Sequence, residues 1–192
     1  MYQRFAKNYT IYWSANTGAH SVMFNGAIGG KYQSAGYERG YGYPVEEETP
    51  FAYGMRQVFE GPNGPTRIYW SPNTGAHAMK GNGAIFQKWV NMGHANTLGF
   101  PVTDEIATGN GVVQYFRTRS GKEYGIYWSA ATGTHVVVSN GALYAYWRDH
   151  GYVNTMGFPV TDEALQADGR VHLRFSSGVE LTWSAYEGVR RR

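Results

Sequence analysis

Three stretches of this chain are near-copies of one another: IYWSANTGAH at 11–20, IYWSPNTGAH at 68–77 and IYWSAATGTH at 126–135. Repetition constrains the fold more than any local preference, because each copy must adopt the same structure and bury its apolar surface against its neighbours. Each decamer leads into a helix-like segment and then a Gly-aromatic-Pro-Val stretch: YGYPVEEE (41–48), LGFPVTDE (98–105) and MGFPVTDE (156–163). Trp13 to Pro44, Trp70 to Pro101 and Trp128 to Pro159 each span 31 positions, whereas the links from Pro to the next Trp run 26, 27 and 24. A rigid unit joined by connections of variable length follows. The copies occupy about 1–48, 55–105 and 111–163, and a partial fourth, VHLRFSSGVELTWSAYEGV (171–189), lies within about 170–192.

Alternation along IYWS puts Ile11 and Trp13, Ile68 and Trp70, Ile126 and Trp128, and Leu181 and Trp183 on one strand face, with Tyr12, Tyr69, Tyr127 and Thr182 on the other. Strands are also legible before it, in QVFE, VVQYF and VHLRF, and after it, from His20, His77 and His135. The NTG or ATG between them supplies a glycine with positive φ for a hairpin. A short helix follows near 25–36, 82–93 and 140–151, with Asn25, Asn82 and Asn140 as N-caps and Gly36, Gly93 and Gly151 as stops. Inside it, Ile28 and Tyr32, Ile85 and Trp89, and Leu143 and Trp147 form an apolar stripe. The Ile/Trp face is expected to be core.

The sequence therefore predicts one α+β, β-rich domain over 1–192, a tandem of three-stranded meanders each with a short helix. The array is expected to be closed or propeller-like, with the partial fourth copy packed against the first to hide the strand edges at both ends.

Composition narrows the partners. A formal net charge of +3 with scattered Lys and Arg is no nucleic-acid footprint, and the Arg190–Arg192 tail reads as a solvated end. The absence of Cys excludes a disulfide framework and thiolate chemistry. No stretch approaches the roughly 18 apolar residues of a membrane span, and MYQRFAKNYT holds no signal-peptide core. The chain reads as a mature or excised segment, or as a protein exported without a standard signal.

IYWS-x-x-TG-x-H, GAI or GAL, and GFPVTDE resemble the LGFP repeat of actinobacterial envelope proteins over essentially the whole chain. The first copy departs from the pattern with GYPVEEE and Tyr32, and the fourth has no Pro motif and carries Arg190 where the others have His. The resemblance implies an extracellular or cell-wall location and tandem repeats that hold a host protein to wall polysaccharide, such as arabinogalactan or peptidoglycan. The expectation is a non-catalytic carbohydrate-binding module. A protein-interaction or envelope-scaffold module is the alternative, and a wall hydrolase is the third reading.

The recurring His20, His77 and His135, with Asp104, Glu105, Asp162 and Glu163, invite an acid–base or metal reading. Residues repeated three times at a period of 57 to 58 do not build one active site, and no HxH or HxxxH pair is present, so neither catalytic residues nor a metal are assigned. The plainer roles are structural: each imidazole bonded to backbone or a carboxylate, and each Thr-Asp-Glu satisfying backbone N–H groups. For a sugar, aromatic platforms and fixed polar groups are needed. Tyr12, Tyr69 and Tyr127, with His20, His77 and His135, are the candidate ligand-binding residues. No cofactor is assigned.

Overall fold

The structure is a computed structural model that describes residues 1–5 and 8–192. The first copy holds β1 (Tyr2–Arg4), β2 (Tyr9–Ser14) and β3 (Gly18–Met23), helix α1 (Ala27–Ser34) and the two-residue strand β4 (Tyr43–Pro44). The second holds β5 (Thr49–Phe51), β6 (Gly54–Gly61), β7 (Gly64–Ser71), β8 (Gly75–Lys80), α2 (Ala84–Asn91) and β9 (Phe100–Pro101). The third holds β10 (Ile106–Thr108), β11 (Gly111–Arg117), β12 (Glu123–Ser129), β13 (Gly133–Val138), α3 (Ala142–Asp149) and α4 (Tyr152–Thr155). The partial fourth copy holds β14 (Ala164–Leu165), β15 (Val171–Arg174), β16 (Glu180–Ser184) and β17 (Gly188–Arg191).

The strand pairings are antiparallel and mostly join successive strands, with β4 reaching past β5 to β6, giving one sheet per copy: a β-rich α+β fold. Among the described residues the sheets share no strand pairing with one another. The chain divides into two compact parts, residues 1–87 with 100–104, and 88–99 with 105–192. The cut passes through α2 and the Gly-Phe-Pro stretch after it, so a copy is not itself a compact unit.

Within the first part, the meander β6–β7–β8 is buried on both faces. Ile68, Ala78 and Phe59 pack with Ile28 and Tyr32 of α1, Tyr12 and Val22. On the other face, Tyr69 meets Phe51 and Phe100, with ring centroids 5.1 and 6.3 Å apart. Helix α1 is thus sandwiched between the sheet of its own copy and that of the next. In the second part the same layering recurs: Trp147 of α3 lies 5.0 Å from Tyr127 on one side and 5.0 Å from Phe175 on the other.

The helix stripe is core as expected, with Ile28, Tyr32, Ile85, Trp89, Leu143 and Trp147 all buried. The helix ends are only half as expected. Gly36, Gly93 and Gly151 take the left-handed conformation that stops each helix. The N-caps of α1 and α3, however, are Gly26 and Gly141, with no side-chain cap bond. Asn140 instead accepts from the Glu123 N–H and donates to the Gly121 carbonyl, tying the helix start to the preceding hairpin.

The Gly-aromatic-Pro stretch does more than bend the chain. Gly42 turns at φ +85°, and Tyr43 and Pro44 then pair with Glu60 and Phe59 of the next copy's first long strand. Pro159 makes the same bridge to Phe175. The helix aromatic is keyed to this turn: Tyr32 Oη donates to the Gly42 carbonyl at 2.8 Å and Trp89 Nε1 to that of Gly99 at 3.0 Å. A side chain at Gly42 would put Cβ 1.9 Å from the Glu60 carbonyl oxygen, so only glycine fits.

Candidate functional site

The third meander strand of each copy is a sheet edge with outward-facing N–H groups. The acidic motif after the Pro turn returns to cover it. Asp104 Oδ1 accepts from the Ala78 N–H at 2.9 Å, and Asp162 Oδ1 from the Val136 N–H at 2.9 Å. Glu163 adds a second bond, accepting from the Val138 N–H at 2.9 Å. In the first copy Glu47 takes this position, accepting from the Ser21 N–H at 3.0 Å and from the Ser21 hydroxyl. Capping an exposed edge in this way removes a template for unwanted pairing.

The three histidines belong to the same nodes. Nε2 of His20, His77 and His135 donates to the carbonyls of Thr17, Thr74 and Thr132, each at 2.9 Å. The other ring nitrogen faces Glu47, Asp104 and Asp162 at 3.5, 3.7 and 3.6 Å. Each imidazole therefore closes its own hairpin and steadies a carboxylate, the structural role read from sequence.

A lysine completes two of the nodes. Lys31 of α1 reaches Asp104, and Lys88 of α2 reaches Asp162 at 2.7 Å. Burial alone would raise the Asp104 carboxyl, but hydrogen bonds from His77, Lys31 and the Ala78 N–H outweigh it and hold it at about 2. The same balance keeps Asp162 well below the ordinary range. For Glu163, burial is the larger influence and the carboxyl is pushed up. The position of Lys31 and Lys88 is Tyr146 in α3, stacked on His150, and the fourth copy has no Pro-Val-Thr-Asp motif for a lysine to meet.

The tyrosine assignment is corrected by the structure. Tyr12, Tyr69 and Tyr127 are 3, 2 and 1% exposed, and a ring without solvent access is no platform for a sugar. Alternation separates the two faces of the strand correctly, but it does not reveal that the helix of the same copy covers the tyrosine side. The companion expectation, that the Ile/Trp face is wholly core, also fails at the indoles. Ile68 and Ile126 are buried, whereas Trp70, Trp128 and Trp183 are only half-buried and Trp13 is 49% exposed.

Each indole stands at the end of its strand beside the hairpin turn. Ser14 with Thr17, Ser71 with Thr74, and Ser129 with Thr132 join hydroxyls at 2.7, 2.8 and 2.8 Å to fix that turn. The turn tips, Ala15–Asn16, Pro72–Asn73 and Ala130–Ala131, face solvent. In the third copy an open groove of about 330 Å³ runs beside the turn, lined by Thr132, Asn110, Asn154 and Ser176 over a floor of Val153 and Phe158. The recurring accessible combination is therefore an aromatic ring, a rigid turn and neighbouring neutral polar groups. Among the described residues no cluster of His, Cys, Asp and Glu is arranged to hold a metal. No helix is long and apolar enough to cross a membrane.

Comparison with known families gives a match to the model described as LGFP repeat, at residues 1–40, 42–96 and 98–154. No curated protein matches the chain.

Proposed function

The chain belongs to the LGFP repeat family, and from that premise we propose that it is a non-catalytic module that binds cell-wall polysaccharide and holds a host protein to the envelope, outside the cell. The observation that carries this reading is the recurrence of a partly exposed indole beside a rigid polar turn at Trp13, Trp70, Trp128 and Trp183. Sugar rings present apolar C–H faces between hydroxyls, and a flat aromatic with neighbouring amide and hydroxyl groups suits both. Copies of one weak site engage successive parts of a polymer, and retention then exceeds the affinity of any single copy.

The histidine–carboxylate nodes take a structural part in this proposal. Their ring nitrogens and carboxylate oxygens are turned on the protein's own backbone and lysines, which suits holding a sheet edge more than moving a substrate proton.

The test is retention on fractionated cell walls with soluble arabinogalactan and peptidoglycan fragments as competitors. Polymer should compete far better than short oligosaccharides, because only polymer bridges copies. Trp13→Ala should weaken retention in part, and Trp13→Ala with Trp128→Ala should weaken it further. Soluble products accumulating during incubation would replace this reading with hydrolysis. No retention on any wall fraction would overturn it.

A further inference from the structure

The first sheet presents the same face that the second sheet buries, but presents it to solvent. Tyr9, Ile11 and Trp13 line it, at 40, 38 and 49% exposure, while Ile68, in the place of Ile11, is fully buried under α1. The strand pairing is equivalent as well, since Ile11 pairs with Ser21 as Ile68 pairs with Ala78. Above this face, Glu47 holds Ser21 and His20 as Asp104 holds Ala78 and His77. Asp104 also receives Lys31 from the covering helix; among the described residues, Glu47 receives no lysine and stays more exposed, at 55 against 41%.

We propose that the Tyr9–Ile11–Trp13 face with Glu47 is a docking surface for the helix of another repeat of this type, one that carries a lysine immediately before its buried aromatic. The internal interface is the template for it. Helix α1 places Ile28 and Tyr32 on the apolar face of the second sheet and Lys31 on its acid. An apolar face and a carboxylate that receives no lysine among the described residues, at the same relative positions, fit the same helix chemistry. The chain's own helices do not supply this partner, because the lysines of α1 and α2 are engaged with Asp104 and Asp162.

The far sheet differs. Thr182 replaces the buried tyrosine, and Arg170 lies over it, donating to the Thr182 and Ser184 hydroxyls, the Gly188 carbonyl and Glu187. Polar side chains close that face.

The experiment fuses residues 1–57 ahead of the full chain, which reproduces the 57-residue spacing of Trp13 and Trp70. With 5-fluorotryptophan labelling and Trp13→Phe for assignment, the ¹⁹F solvent isotope shift of Trp13 should fall in the fusion. Ile11→Asp in the recipient sheet should restore it. Carbodiimide should then join the added copy's Lys31 to Glu47, with the native Lys31–Asp104 link as positive control in the same sample and the unfused chain giving no Lys31–Glu47 product. An unchanged Trp13 signal in a fusion that still gives the control link overturns the proposal. Concentration-dependent dimerisation of the unfused chain that buries Trp13 also overturns it, by assigning the face to a second copy.

Discussion

Tyr69 and Trp70 are adjacent in one strand, yet only the tyrosine is enclosed, packed against Phe51 and Phe100. Tyr69→Ala should therefore cost about 3–5 kcal/mol, the range for a large buried aromatic, measured by urea denaturation. Trp13→Ala should stay within about 1 kcal/mol, because the ring is half exposed and leaves no closed cavity. Asp104 carries a second prediction. Its folded-state carboxyl lies at about 2 against an ordinary 3.8, so its stabilising effect is complete above about pH 4 and disappears as pH falls through 2. Asp104→Asn should cost about 1–2 kcal/mol at neutral pH, the cost of charged hydrogen bonds reduced for a carboxylate 41% exposed, and the gap from the parent should close in acid. A gap constant from pH 7 to 2 would mean that the charge on Asp104 contributes nothing. At this scale the sequence was readable where chemistry is local, as in the imidazole bonds to threonine carbonyls three residues back. It misled at Tyr12, Tyr69 and Tyr127, because both strand faces carry large apolar residues and which is better covered depends on a helix some twenty residues away.

At the scale of elements, the hairpin glycines, the helix stops and the long strands follow from turn chemistry and alternation, and all are where the sequence puts them. The short strands β4, β5 and β14 were not legible. Two or three residues hold no period, and their pairing is set by the partner strand. The helix starts were misread because asparagine is a good cap in isolation, while here Asn140 serves the neighbouring hairpin better. Gly42 and Gly36 separate two reasons for the same residue. Both have φ near +85 to +88°, but Gly36 has open space around it and Gly42 faces the Glu60 carbonyl. Gly36→Ala should cost about 1–2 kcal/mol for conformation alone. Gly42→Ala should cost about 3 kcal/mol or more, since the paired strand must also move. Equal losses in thermal melts of the two variants would remove the argument that this turn is set by close approach.

For the whole molecule, repetition announced the architecture and layering supplied what repetition alone did not, namely that α1 and α3 each serve two sheets. The wall-binding reading predicts modest salt dependence of retention, because the net charge is +3 and the proposed contacts are stacking and neutral hydrogen bonds. Steep loss of retention between about 50 and 200 mM salt would point to an acidic polymer gripped by cations instead. The lysine pattern has a different consequence. Lys31 and Lys88 stand in helices followed by an aspartate-bearing copy, and Tyr146 stands in the helix followed by the copy without one. The copies therefore do not commute. A shuffled gene that moved the third block forward would set a phenol against a half-buried carboxylate, and one that moved the second block to the end would leave its ammonium with no counter-ion. The chain has a syntax as well as a vocabulary, and its word order is written in one side chain per helix.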